Sequence, residues 1–298
     1  MAISTHRFID PHLLTAIADL RLLAKRVVDG FMIGMHQSPK AGAGLEFNQY
    51  RSYEPGDDPR LIDWKMLARS DRYYVRESEV DTSVSVYFFI DATASMAHEE
   101  AGITKIDYAR FLAAALGYLA HQQGDAIGLF ALNNLSIVDL PPRRDRSQLH
   151  RFLHQLERLQ VTGEWPDWQR IENRLLTIRK RELLVFISDF YERDGEIMKA
   201  LSKLSAIGHE VLLFHLMGQG ELQFEFAGSL LMEDLESGET VEVDAESARH
   251  AYIARLQDWL KQLYQDSSQY NLAYERLLLQ QPLDFALRGY LRRRAKLV

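Results

Sequence analysis

Asp91, Thr93 and Ser95 form an Asp-x-Thr-x-Ser turn directly after the apolar run Phe88-Phe89-Ile90. A buried strand running into such a turn presents one carboxylate and two hydroxyls at the carboxyl edge of a sheet, where open α/β sheets bind ligands. An oxygen-only set suits a hard divalent cation such as magnesium. A second acid follows the same grammar, because Leu183-Leu184-Val185-Phe186-Ile187 runs into Ser188-Asp189. Two such strand ends can lie side by side, which makes Asp91, Thr93, Ser95 and Asp189 the candidate metal residues. The plainer account of the same residues is a strand-end turn whose side chains cap backbone amides.

Other chemistries find less support. There is no Gly-x-Ser-x-Gly elbow, no His-Glu-x-x-His helix and no Gly-x-x-x-x-Gly-Lys loop, so no nucleotide site of the P-loop kind is expected. His98, His121, His154, His209 and His215 share no ligand spacing and receive no role. Trp165 and Trp168 flank a loop that would face the site, where they could contact a partner or anchor a helix start.

The elements that must position these residues follow from hydrophobic spacing. Leu13, Leu14, Ile17, Leu20, Leu23 and Val27 predict an opening amphipathic helix ended by Gly30. Two strands, 47–53 and 73–80, are expected on either side of a turn-rich insertion, making a small N-terminal extension over residues 1–80. Residues 81–298 then alternate apolar runs with helical segments, the pattern of a mainly parallel sheet covered on both faces. Strands are predicted at 84–90, 126–132, 136–140, 183–187 and 211–216, with helices centred near Phe111, Phe152, Ile171 and Met198. Asn133-Asn134 marks a hairpin, residues 230–243 a strand pair turning at Ser237-Gly238, and helices are expected from about Ser247 and near Ala286.

Composition bounds the rest. With 298 residues, 47% of them hydrophobic, the chain can fill a sizeable core. Its 35 basic and 42 acidic residues are interspersed to a net charge of −7, leaving no basic stripe for nucleic acid. The run Arg292-Arg293-Arg294 with Lys296 is read as a solvated helix end. The absence of cysteine fits a reducing cytoplasm, and no uncharged stretch is long enough to span a bilayer.

The pairing of Asp91, Thr93 and Ser95 with Asp189 resembles the metal-ion-dependent adhesion site of von Willebrand factor A domains. The resemblance implies a three-layer, Rossmann-like α/β fold whose metal keeps one position open for a partner's Asp or Glu. The family also uses a loop Thr; Thr162 is the nearest candidate, with Glu164-Trp165 standing where the family places Gly-Thr. Over the whole chain, Gly44-Leu45-Glu46-Phe47, the stretch Arg51-Ser52-Tyr53-Glu54-Pro55-Gly56-Asp57-Asp58-Pro59-Arg60-Leu61-Ile62-Asp63-Trp64 and Ala68-Arg69 resemble the signature of the bacterial domain of unknown function 58 family. Lys105, Asp107-Tyr108-Ala109, Gly124-Asp125, Pro141-Pro142-Arg143, Asp234-Leu235-Glu236, Tyr290-Leu291 and Arg293 continue that order. This resemblance implies a non-catalytic adaptor or co-chaperone working with a MoxR-type AAA+ ATPase on a client protein. Physically, Pro55-Gly56-Asp57-Asp58-Pro59 reads as a turn. Arg51, Arg60, Arg69 and Arg72, close in sequence to Glu46, Asp57, Asp58 and Asp63, read as a bracing ion-pair network or a docking surface. The enzyme alternative resembles haloacid-dehalogenase-like phosphotransferases, with Asp91 as nucleophile and Ser188 ending the later strand, although Thr93 stands where that family places a second acid.

Overall fold

The computed structural model describes residues 19–36, 50–52, 73–76, 84–166, 181–191 and 195–297. The chain divides into two units, Ile33–Thr82 and the remainder. Within the first, β1 (Tyr50–Ser52) and β2 (Tyr74–Arg76) pair antiparallel, inside the two predicted strand spans. The Tyr53-to-Arg69 signature, its proposed ion-pair network, residues 13–17, the helix near Ile171 and Trp168 all lie outside the described residues.

In the larger unit, the part of α1 (Leu20–His36) up to Met32 buries Leu20, Leu23, Ala24, Val27, Val28 and Phe31 on one stripe. Gly30 does not end this helix. Phe31 continues the apolar spacing, and one interior glycine weakens a helix by only about 1 kcal/mol, less than burying a phenylalanine returns.

The central sheet is built from β3 (Ser85–Asp91), β6 (Ala126–Leu132), β7 (Ile137–Arg143), β8 (Leu183–Ser188), β9 (Glu210–Met217) and β12 (Ala273–Leu278), in the order β12-β9-β8-β3-β6-β7. Every neighbouring pair is parallel except β6 with β7, the hairpin expected at Asn133-Asn134. Strands β3 and β8 are apolar at successive positions because both faces are covered. Tyr87 and Phe89 point to one face, with Phe186, Leu213, Ile197 and Leu201 of α4 (Glu196–Ala206), and Leu263 of α6 (Ala245–Gln269). Phe88 points to the other, where it meets Phe152 of α3 (Gln148–Glu157) at a ring separation of 5.3 Å. Helix α2 (Lys105–Gln122) packs so closely there that a Cβ on Gly117 would stand 2.5 Å from the Phe152 ring. This is the three-layer, mainly parallel, von Willebrand factor A-like α/β fold that the sequence predicts.

Smaller elements complete it: a hairpin of β4 (Glu99–Glu100) and β5 (Ile103–Thr104), the short helix α5 (Gln219–Gln223), a hairpin of β10 (Ser229–Glu233) and β11 (Thr240–Asp244), and α7 (Asp284–Arg294). Strand β12 was not expected from the sequence, whose Ala-Tyr-Glu-Arg-Leu-Leu composition favours helix; pairing with β9 overrides that preference. The basic run closing α7 is not simply solvated. Arg294 makes a two-point pair with buried Asp125, at 2.6 and 2.8 Å, and Arg293 and Arg292 lie 3.6 and 3.7 Å from Glu210 and Glu275. No helix among the described residues is long and apolar enough to cross a membrane.

Candidate functional site

Strands β3 and β8 are parallel neighbours with Ile90 beside Ile187, so Asp91 and Ser188 emerge at one level of the same rim. Ser188 Oγ donates to Asp91 Oδ2 at 2.6 Å. Asp91 Oδ1 accepts from the Thr93 amide at 3.0 Å and from its hydroxyl at 2.7 Å. A single 3₁₀ turn over Ala94–Ala97 then carries Ser95 Oγ to 3.0 Å from Thr93 Oγ1, and it donates to Asp189 Oδ1 at 3.1 Å. The structure thus joins Asp91, Thr93, Ser95 and Asp189 in one chain of contacts. All four are buried.

The cluster is rich in oxygen and poor in protons. Two hydroxyl protons must serve contacts from Thr93 to Asp91, Thr93 to Ser95 and Ser95 to Asp189. Burial, and then the neighbouring Asp189 charge, push the Asp91 carboxyl up to about 6 despite its three hydrogen bonds. A buried carboxylate with no cation beside it is costly, and a divalent ion would relieve that cost. Among the described residues no group of three or more His, Cys, Asp or Glu side chains is arranged to hold a metal. The set is two carboxylates completed by hydroxyls, which fits a hard cation that retains water ligands.

Three charged groups of the site received no role from sequence. Lys105, at the start of α2, is buried and places Nζ 2.9 Å from Asp189 Oδ2 and 2.7 Å from Glu221 Oε1. Burial pulls the Lys105 pKa down, but Asp189 and Glu221 outweigh it and the net shift is upward. The ammonium also lies 4.7 Å from the centre of the Tyr191 ring. Glu221 sits on α5, whose first amides are held by Glu100: Gln219 N–H donates to Oε1 at 2.7 Å and Gly220 N–H to Oε2 at 2.8 Å. A Cβ on Gly218 would stand 2.2 Å from Glu100 Oε2, so a larger residue there would push that carboxylate aside. The third group, Glu236, comes from the β10–β11 turn and is pushed up to about 7 by burial and by Asp91. Lys105 and Asp234-Leu235-Glu236 stood in the signature order, which was their only signal in the sequence; Glu221 had none.

Thr162 is not brought into the cluster. Its side chain is exposed, and its backbone meets the turn instead, with Thr162 N–H donating to Ala92 O at 3.0 Å and Ala94 N–H to Gly163 O at 2.8 Å. Trp165 packs edge-on against Phe186 at 5.9 Å, and the helix start it was expected to anchor lies outside the described residues. His215, beside Ser188 on β9, is held neutral by burial, its pKa pulled down to about 3, with Nδ1 2.7 Å from the Tyr274 hydroxyl.

Of the four, Ser95 lines a cleft of ≈ 400 Å³, together with Lys105, Tyr191, Glu221, Asp234 and Glu236. The molecule is therefore an α/β protein of the von Willebrand factor A-like class with a polar cleft at the carboxyl rim of its sheet. Residues 49–259 match the family described as "Protein of unknown function DUF58", and the chain belongs to that family. Uncharacterized proteins of Mycobacterium bovis and Mycobacterium tuberculosis are 30% identical over 253 residues, covering 83% of this chain and 78% of theirs. Among solved structures, a conserved hypothetical protein, BatB from Bacteroides thetaiotaomicron, aligns at 15% identity and TM-score 0.48, over 72% of this chain and 100% of that one. The SpRpn10 VWA domain aligns at 13% identity and TM-score 0.39, over 69% and 94%.

Proposed function

We propose that the chain is a non-catalytic, cytoplasmic protein-recognition module that binds a divalent cation, magnesium in the first place, through Asp91, Thr93, Ser95 and Asp189. The observation that carries this is the contact chain from Asp91 through the two hydroxyls to Asp189, which reaches a cleft at Ser95. A cation there neutralises buried Asp91, which Lys105 does not reach, and leaves a coordination position for a partner's Asp or Glu. The partner class, a MoxR-type AAA+ ATPase with its client, comes from the family resemblance, and the role is that of an adaptor or co-chaperone. The phosphotransferase alternative draws less support, because Asp91 is only 2% exposed and both of its oxygens already accept hydrogen bonds.

Calorimetric titration of the full chain with Mg²⁺ and Mn²⁺ tests the metal, with Asp91→Asn as control. Saturable binding lost in the variant is expected; equal heats from both proteins would overturn the site. Retention of a purified MoxR-type ATPase on the immobilised chain, with and without chelator, tests the partner. Retention that chelator abolishes is expected, and retention insensitive to both chelator and Asp91→Asn would leave an adaptor that does not use the metal.

A further inference from the structure

The β10–β11 hairpin bonds only to itself in the sheet pattern, yet its turn reaches the cleft. Gly238, at φ +71, and Asp234 shape that turn: Asp234 Oδ1 accepts from the Glu236 amide at 2.9 Å and Asp234 Oδ2 from the Ser237 hydroxyl at 2.8 Å. The tightened turn sends Glu236 inward to line the cleft with Ser95 and Lys105, while neighbouring Leu235 stays 45% exposed. Glu236 Oε1 is buried without a hydrogen-bond partner among the described residues. A surface turn gains nothing by directing a carboxylate toward Asp91 and Asp189, since like charges in a partly buried space repel. The arrangement is favourable once a cation sits between them.

Resting on the metal reading above, we infer that Glu236 is an internal ligand of this site, a carboxylate from the chain's own hairpin that takes the open position and must leave before a partner's Asp or Glu can enter. As the side chains stand, Glu236 completes no three-acid group with Asp91 and Asp189 among the described residues. A small inward shift of the hairpin closes it. The hairpin is suited to that, because it shares no ladder with the six-stranded sheet and leaves Leu231 and Val241 72% and 60% exposed, features of a segment that moves at low cost.

The test uses the full chain, Mn²⁺ as probe, and the variants Glu236→Ala and Glu236→Gln. We expect Mn²⁺ to slow amide exchange across residues 229–244 of the wild type and of neither variant. Both variants should bind the ion several-fold more weakly, and Glu236→Ala should show a higher water-proton relaxation enhancement per bound ion as water fills the vacated position. Unchanged enhancement and hairpin exchange in Glu236→Ala, with Mn²⁺ still bound, would overturn the internal ligand and leave the metal site standing. Wild-type behaviour in Glu236→Gln would assign the effect to side-chain bulk and overturn it as well. No Mn²⁺ binding by the wild type would remove the metal reading itself, and this inference with it.

Discussion

Lys105 and Asp189, 84 residues apart, form a buried ion pair of 2.9 Å directly beside the Asp91 turn. The two side chains are 1% and 0% exposed, so neither charge has water to fall back on. Lys105 also joins Asp189 to Glu221, and through α5 it links the sheet rim to Glu100. The ammonium satisfies Asp189 and leaves Asp91 without a cation.

Lys105→Met keeps the volume of the stem and removes the charge. Leaving Asp189 buried and unpaired should destabilise the chain by about 3–5 kcal/mol. Urea unfolding followed by circular dichroism measures this, and millimolar Mg²⁺ should recover part of the loss. A midpoint that does not move would show that the pair contributes no stability.

Asp91 sets a pH dependence with a definite sign. Its carboxyl is raised from 3.8 to about 6 in the folded chain, so protonation favours folding, and that advantage is present at low pH and lost as pH rises through about 6. At roughly 1.4 kcal/mol per pKa unit, wild type should lose on the order of 3 kcal/mol relative to Asp91→Asn between pH 4 and pH 7 in the absence of divalent cations. Comparing the two proteins cancels His215, which acts in the opposite direction, while Glu236, raised in part by Asp91, adds to the difference in the same direction. Denaturant midpoints at three pH values suffice; parallel curves would contradict the prediction.

Arg294 fastens the C-terminal helix to the root of the central strand, since Asp125 also accepts from the Val84 amide at 2.9 Å. Arg294→Ala should therefore destabilise the chain by about 2–4 kcal/mol, leaving buried Asp125 without the Arg294 charge. Amide exchange should speed up at both 84–91 and 284–294. Acceleration confined to the helix would show that the two ends are not coupled.

Gly163 adopts φ +69, and a Cβ there would stand 2.1 Å from Asn134 Oδ1. Gly163→Ala should lower stability by about 1–3 kcal/mol and displace the loop that braces Ala94. Mg²⁺ titration of the variant should show weakened binding. Binding and stability both at wild-type values would mean that the loop tolerates the shift.

The rim of the sheet was legible in the sequence because its residues are local: Asp91, Thr93 and Ser95 share one turn, and Ser188-Asp189 ends an unmistakable apolar run. Asp189 needed only the inference that parallel strands align their ends. Lys105, Glu221 and Glu236 were illegible for a different reason. Each lies on a separate small element whose position is fixed by tertiary packing, and Lys105 heads a helix where a basic residue is ordinarily unfavourable. Thr162 shows the converse failure, since a residue correctly placed in the adjoining loop turned its backbone to the site and its side chain to solvent. Strand β12 was missed because helix-favouring residues were recruited by an open sheet edge, and Gly30 because one flexible residue cannot outweigh a continued apolar stripe.

Ser188 reaches Asp91 across 97 residues of sequence, and it does so from the strand inserted next to β3 on the side away from β6. During synthesis the Asp91 turn therefore leaves the ribosome long before the wall it leans on has been made. Until β8 arrives, the nascent chain holds an acidic turn without its neighbouring hydroxyl or its companion carboxylate. A fragment ending before Ser188 keeps β3, β6 and β7 and still has no rim, so the cluster of Asp91, Thr93, Ser95 and Asp189 is completed late and as a single step.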